Sequence, residues 1–324
     1  MTRAVAVLVN ARAGGVARHP GLAERLLRAA AGLGAVTRSE AELARALPSL
    51  LARAPRAWVV VGGDGTLRAT VSALHALEPR SDRWPSLLLA QGGTVCTIAR
   101  DVGPIAPPLE TLRRALAGRA GREIAHATLR VDTEDELPGS LAEVAAPART
   151  RVGFIVGTGL VARFFEAYQA AGEPGLGWAA RTAAVTFASA LGVGGSAARL
   201  LAPLPCAMEV DGVPQPGSAW SLVLVSTVRD VGLGFRVTYR AGEASDRVHV
   251  VASSLPPREL GRQALRVLAA RPLRGHDAVD RLAASVALDF GLAPGPWVLD
   301  GDLVRARRVV VRPGPAVRLR VLGD

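Results

Sequence analysis

Short apolar runs alternate with amphipathic segments through the first third of this 324-residue chain. The apolar runs have the length and β-branched content of buried strands, and the segments between them repeat apolar residues at helical spacing. This alternation predicts a parallel sheet with crossover helices, because parallel neighbours need long connections. The predicted strands are residues 4–10, 34–37, 57–61 and 86–91, and the predicted helices are residues 19–33, 39–53 and 66–77.

The pattern changes near residue 131, where serial strands replace the alternation. Segments such as "AWSLVLVST" and "DRVHVVASS" resemble antiparallel strands of a sheet, and several others alternate with period two. Helices are expected only near residues 164–201 and 257–270. We therefore predict an α/β domain over residues 1–130 and a β-rich, mainly antiparallel, sandwich-like domain over residues 131–324. This prediction leaves open that the last strands of the chain pack back on the first domain.

The formal charge is +11, and the chain contains no lysine. A phosphate-binding loop that depends on lysine is therefore excluded, as is a Schiff-base lysine. Phosphate would have to be neutralised by arginine, backbone N–H groups or a metal ion. Aromatic residues make up 4% of the chain, and no helix-turn-helix or zinc-finger pattern is present, so we expect no nucleic-acid partner.

The length of the apolar runs and the number of cysteines bear on the cellular location of the protein. No run approaches the ~20 apolar residues of a membrane helix. The two cysteines, Cys96 and Cys206, are too few for a disulfide framework. We therefore expect a cytoplasmic protein.

Three glycine-rich segments follow predicted strands: "NARAGG" (residues 10–15), "GGDGT" (62–66) and "GGTVCTIARD" (92–101). Ligands of open parallel sheets bind beyond the carboxyl ends of the strands, and N–H groups near a helix start favour anions. Three ordinary turns are the alternative explanation. A carboxylate at Asp64 suits a site with Mg²⁺ or a network around a transferred phosphoryl group. The dinucleotide pattern G-x-G-x-x-G fails at Arg68, which disfavours NAD-dependent redox chemistry.

Taken in this order, the three motifs resemble the diacylglycerol kinase catalytic-domain family. That family includes bacterial lipid kinases and sphingosine kinases, and it is more distantly related to NAD kinases and phosphofructokinases. The resemblance is strongest over residues 1–120 and continues near the C-terminus in "LDGDLVRARRVVVRPG".

The resemblance implies an ATP-dependent kinase of lipid metabolism that uses Mg²⁺ and acts in phospholipid biosynthesis. It would transfer the γ-phosphoryl group to the hydroxyl of a lipid alcohol, such as diacylglycerol or a sphingoid base. Residues 1–130 would bind the nucleotide, residues 131–324 would bind the lipid, and ATP would lie in the cleft between these domains. The enzyme would be peripheral to the inner face of the membrane, and a homodimer is compatible with the sequence.

The resemblance also assigns site residues. Asp302, which takes the position of a family glutamate, is implied as the base, and Asp64 is the competing candidate. Asp64 and Asp300 are the candidate metal ligands. The implied nucleotide-binding residues are Asn10, Arg12, Thr37, Gly62, Gly63, Asp64, Gly65, Thr66, Gly93 and Thr94.

Two departures from the family pattern keep alternatives open. Many members have Asn and Asp where this chain has Cys96 and Thr97, and "DGE" is replaced here by "DGD". Cys96 is interpreted as a small buried hydrophobe rather than a nucleophile. The alternatives are a kinase of a soluble acceptor such as NAD and a catalytically degenerate nucleotide-binding relative.

Overall fold

The computed structural model describes residues 4–93, 96–137, 146–172, 202–232, 234–275 and 277–322. The chain divides into two compact units. The first contains residues 1–126 together with 315–324, and the second contains residues 127–314. The first unit is thus assembled from both ends of the chain.

One six-stranded sheet forms the centre of the first unit. Its strands are β1 (Val5–Asn10), β2 (Gly34–Thr37), β3 (Ala57–Gly62), β4 (Ser86–Gln91), β5 (Arg122–His126) and β20 (Val317–Val321). They lie in the order β2-β1-β3-β4-β20-β5. All neighbours are parallel except β5, which runs antiparallel to β20. The parallel sheet predicted from the strand–helix alternation is confirmed.

Helices connect these strands. They are α1 (Gly14–Ala17), α2 (Leu22–Ala29), α3 (Glu40–Ala52), α4 (Asp64–Leu77), α5 (Thr97–Val102) and α6 (Pro108–Leu116), with a 3-10 turn at Ser81–Arg83. Helix α3 begins as its sequence predicts, since the Ser39 side chain accepts the backbone N–H of Glu42 at 3.2 Å. Alternate residues of β1 and β3 pack into one buried cluster beneath these helices, including Val7 and Val59.

Antiparallel strands dominate the second unit. Its described strands are β6 (Leu129–Glu136), β7 (Ala146–Gly153), β8 (Ile155–Gly159), β9 (Leu204–Pro205), β10 (Ala207–Val210), β11 (Val213–Pro214), β12 (Ala219–Trp220), β13 (Leu222–Ser226), β14 (Val248–Ser253), β15 (Val279–Ala283), β16 (Val286–Asp289), β17 (Gly295–Leu299), β18 (Asp302–Ala306) and β19 (Arg308–Pro313). One six-stranded sheet has the order β11-β10-β16-β19-β6-β7, and another has the order β15-β14-β13-β8-β17-β18. Strands β12 and β9 form a two-stranded sheet.

The two six-stranded sheets of the second unit share one core. Met208 and Val309 of the first sheet pack in the same buried cluster as Val225, Val250 and Trp297 of the other. Side chains from two sheet faces that meet in this way form a sandwich. The predicted fold class, an α/β part with a parallel sheet followed by a β-rich antiparallel part, is confirmed.

Three described helices accompany the sandwich: α7 (Leu160–Ala170), α8 (Pro257–Arg262) and α9 (Ala264–Leu268). The helical region expected near residues 257–270 contains two short helices. Much of the expected helical region at 164–201 lies outside the described residues. Within the described parts of the chain, no helix is both long enough and apolar enough to cross a bilayer.

Candidate functional site

Three glycine loops meet at the carboxyl ends of β1, β3 and β4. The backbone N–H of Gly15 donates to the carbonyl oxygen of Gly92 at 2.9 Å. A Cβ on Gly92 would lie 2.6 Å from the backbone nitrogen of Gly62, and a Cβ on Gly93 would collide with the backbone of Gly63. Glycine is required at these contacts because the loops touch backbone to backbone.

Gly65 has no such packing role. It lies in the first turn of α4, it is exposed, and no described atom outside its own helix backbone lies within 4 Å of the position that its Cβ would occupy. Its backbone is helical, so no positive φ requires glycine there. The first N–H groups of a helix lack partners within the helix, and they attract anions. A bare backbone at this position leaves room for a ligand to approach those N–H groups.

The Asn10 side chain links the first two loops. Its Nδ2 donates to Thr66 Oγ1 at 2.9 Å, and its Oδ1 accepts the backbone N–H of Arg12 at 2.9 Å. At the end of β2, the carbonyl oxygen of Thr37 accepts the N–H of Ala11 at 2.9 Å. The structure thus brings these sequence-predicted residues to one edge of the sheet, with the Arg12 side chain exposed.

Asp64 lies at the start of α4 and contacts the start of α5. One carboxylate oxygen accepts the backbone N–H of Thr97 at 2.8 Å, and the other accepts that of Ile98 at 3.0 Å. Burial raises the pKa of Asp64, and the hydrogen bonds from Thr97 and Ile98, together with the charge of Arg100, partly offset the shift. The carboxylate therefore fixes the third loop to the second.

Cys96 immediately precedes α5 and has a left-handed backbone conformation, with φ of 52°. Its side chain is buried, as the sequence predicted, and Sγ lies 3.7 Å from the carbonyl oxygen of Gly62. Asparagine adopts this backbone region more readily than most residues, so the family's residue suits the same turn. Thr94, a predicted nucleotide-binding residue, lies outside the described residues.

The two candidate metal ligands, Asp64 and Asp300, belong to different units. In the described ranges, no three His, Cys, Asp or Glu side chains are grouped so that they could hold a metal ion. Both oxygens of Asp64 accept backbone N–H groups. Within the described residues, neither carboxylate is therefore part of a protein-only metal cluster.

Asp300 and Asp302 belong to the second unit. Asp300 and Gly301 have φ of 49° and 99° and form the two-residue turn between β17 and β18. The Asp300 carboxylate accepts the backbone N–H of Ile155 at 2.7 Å and that of Phe154 at 3.0 Å. Asp302 begins β18 and is exposed. The first carboxylate therefore stabilises a turn, while the second faces solvent.

The contacts of the Thr97 and Ile98 N–H groups with Asp64 are features of the candidate site that the sequence analysis missed. Their partner Asp64 lies more than thirty residues earlier in the chain, so no local spacing signals the contact. The glycines of the third loop indicate that this loop lies close to the second loop, but they do not identify the hydrogen bonds.

No protein-family model matches the sequence, and no curated protein matches it. Solved structures do match. A diacylglycerol kinase from Bacillus anthracis str. Sterne shares 13% identity at a TM-score of 0.59, over 99% of this chain and 97% of its own. Two structures from the same strain, both provisionally assigned as diacylglycerol kinases, share 14% and 16% identity at TM-scores of 0.63 and 0.64. They cover 99% and 98% of this chain and 97% of their own. The resemblance drawn from the motifs is confirmed at the level of the fold: this chain has the fold of these diacylglycerol kinase structures.

Proposed function

We propose that this protein is an ATP-dependent kinase that phosphorylates the hydroxyl of a lipid alcohol. The observation that carries the proposal is the exposed, sterically unrestricted Gly65 at the start of α4, where three glycine loops meet. A triphosphate suits this edge, because helix N–H groups and glycine backbones bind phosphate oxygens without lysine. Asn10, Arg12, Thr37 and the residues of the second and third loops would surround the nucleotide.

In the proposed reaction, the lipid hydroxyl oxygen attacks the γ-phosphorus and the bond to the β-phosphate oxygen breaks, so ADP leaves. Asp302 accepts the hydroxyl proton. Asp64 suits that task less well, because both of its oxygens accept backbone N–H groups. Mg²⁺ would arrive with ATP as part of the substrate, since it commonly binds through phosphates and retains water.

The names of the structural neighbours support a lipid acceptor. The substrate would be a diacylglycerol or a sphingoid base, drawn from the cytoplasmic face of a membrane. The excess of arginine favours attraction to anionic headgroups, with each near-surface basic residue contributing on the order of 1 kcal/mol. Peripheral docking would give access to the acceptor.

The test is to incubate the full chain with γ-labelled ATP, Mg²⁺ and mixed micelles of diacylglycerol or sphingosine, with NAD as a soluble acceptor in a parallel reaction. We expect label on a lipid hydroxyl. Label on NAD alone would refute the lipid assignment. ATP-dependent thermal stabilisation without any labelled product would indicate a degenerate nucleotide-binding relative.

A further inference from the structure

A cavity of about 730 Å³ lies within the first unit, at the amino ends of β3 and β4. Its lining includes Arg56, which directly precedes β3, and Trp84, which lies two residues before β4. The glycine loops follow the other ends of the same strands, and a six-residue strand spans roughly 20 Å. The cavity is therefore separate from the proposed nucleotide site.

Arginine dominates the charge of this cavity. Arg56, Arg83, Arg318 and Arg320 line it, and Glu123 supplies the acidic side chain among the described lining residues. Glu123 accepts a hydrogen bond from the Ser86 hydroxyl and pairs with Arg320 at 3.2 Å. The lining therefore carries an excess of positive charge.

Backbone contacts hold two of these guanidinium groups. Nη2 of Arg318 donates to the carbonyl oxygen of Trp84, and Nη2 of Arg56 donates to that of Ala115. Arg83 pairs at 3.2 Å with Glu78, which lies outside the lining. A guanidinium has five N–H donors in a rigid fork, so one anchored donor leaves others with a fixed direction.

Two buried donors of this cluster lack partners. The Nε atoms of Arg318 and Arg320 are buried, and neither has a hydrogen-bond partner within the described residues. The two side chains lie on the same face of β20, because they are two residues apart. Buried donors without partners are costly, so this cluster holds more donors than acceptors.

We propose that this cavity binds a small organic phosphate monoester. A dianionic phosphate offers the acceptors that fixed guanidinium groups recognise, which favours it over a neutral ligand. The volume is within the usual range for small-molecule sites. Leu51, Pro55 and Pro85 add an apolar wall, which suits the carbon body of the ester.

The test is calorimetric titration of the full chain with inorganic phosphate, a nucleoside monophosphate and a water-soluble short-chain phosphatidic acid. At least one monoester should bind more tightly than inorganic phosphate. The monoester that binds more tightly shows whether the ligand's phosphate belongs to a nucleotide or to a lipid. Arg318→Gln should weaken that binding on the order of tenfold or more. Arg83→Gln, at a more exposed position, should weaken it in the same direction, and it covers the case in which the first variant fails to fold.

Two controls locate the binding. Arg28→Gln removes one exposed charge outside the cavity and should leave the affinity unchanged. Gly65→Ala alters the glycine loops and should also leave it unchanged, which separates this result from the fate of the proposed kinase activity. No binding of any probe, equal affinity for all three, or equal losses in Arg28→Gln and the cavity variants would overturn the proposal.

Discussion

The carboxylate of Asp64 accepts the backbone N–H of Thr97 at 2.8 Å, so the first turn of one helix holds the first turn of the next. From the sequence alone, Asp64→Asn is expected to leave the fold intact. The structure adds a stability cost, because an amide places its NH₂ where a second oxygen now accepts the N–H of Ile98. We expect the variant to lose about 1–3 kcal/mol of unfolding free energy at neutral pH, measured by urea denaturation. Unchanged stability would contradict this structural role.

The contribution of Asp64 to the unfolding free energy depends on pH, because the pKa of its carboxyl is raised. The folded state holds this proton more tightly than the unfolded chain does. The contribution of Asp64 to the unfolding free energy is therefore greatest below its ordinary pKa and falls as the pH rises through the raised value. The stability advantage of the wild type over Asp64→Asn should decrease as the pH rises from below 3.8, the ordinary pKa of an aspartate, through the raised value. Urea denaturation across that range tests the sign, and an advantage that grows with pH would show that it is wrong.

Two glycine variants separate packing from ligand binding. Gly65→Ala should leave the unfolding free energy unchanged or raise it by up to about 1 kcal/mol, because the new methyl group meets open space in a helix. It should weaken ATP binding. Gly92→Ala should cost about 2 kcal/mol or more, because its Cβ would lie 2.6 Å from the nitrogen of Gly62. Thermal unfolding with and without ATP measures both effects, and full ATP affinity in Gly65→Ala would remove the main support for the nucleotide site.

The two aspartates of "DGD" should respond differently to substitution. Asp300→Ala leaves the N–H groups of Phe154 and Ile155 without their acceptor and should cost about 1–3 kcal/mol of unfolding free energy. Asp302→Asn should abolish phosphoryl transfer while the protein stays folded. Asp246→Asn, another exposed carboxylate of the second unit, is the matched control and should keep full activity. If Asp302→Asn remains active, the base is another group.

A buried histidine in the second unit, His249, has hydrogen-bond partners at both ring nitrogens. Nδ1 of His249 accepts the N–H of Arg240 at 3.3 Å, so Nε2 carries the proton that it donates to Asp280 at 2.8 Å. Asp280→Ala would leave that buried donor unpaired and should cost about 1–3 kcal/mol. Asp280→Asn retains an accepting oxygen and should cost less. Equal losses in urea denaturation of the two variants would argue against this hydrogen bond.

The sequence predicted strand bounds well where glycine or polar residues flank a compact apolar run. Strands β2 and β4 have the predicted bounds, because glycine or polar residues flank compact apolar runs. Helix α4 begins at Asp64, two residues before the predicted start, because the low helix propensity of Gly65 hides its first turn. The helical region predicted near residues 257–270 contains α8 and α9, which meet at Gln263.

The candidate site was predictable in composition but not in detail. The glycine motifs indicated the edge of the sheet where Asn10 and Thr66 meet. They did not show that Asp64 binds the N–H groups of α5, because that contact depends on how distant loops pack. They also did not distinguish Gly92, which packing requires, from Gly65, which it does not. That distinction needs coordinates, because both residues look alike in a sequence.

The position of β20 has a consequence for how the protein is made. This strand lies between β4 and β5 and is the described partner of β5, yet it follows the whole second unit along the chain. A ribosome therefore synthesises the sandwich before it supplies the strand that completes the first sheet. Until then β4 and β5 present open edges, which are sites of mispairing and aggregation. Formation of the complete first sheet is thus a late event in biosynthesis, and a single cut between the two units would leave β5 and β20 on different fragments.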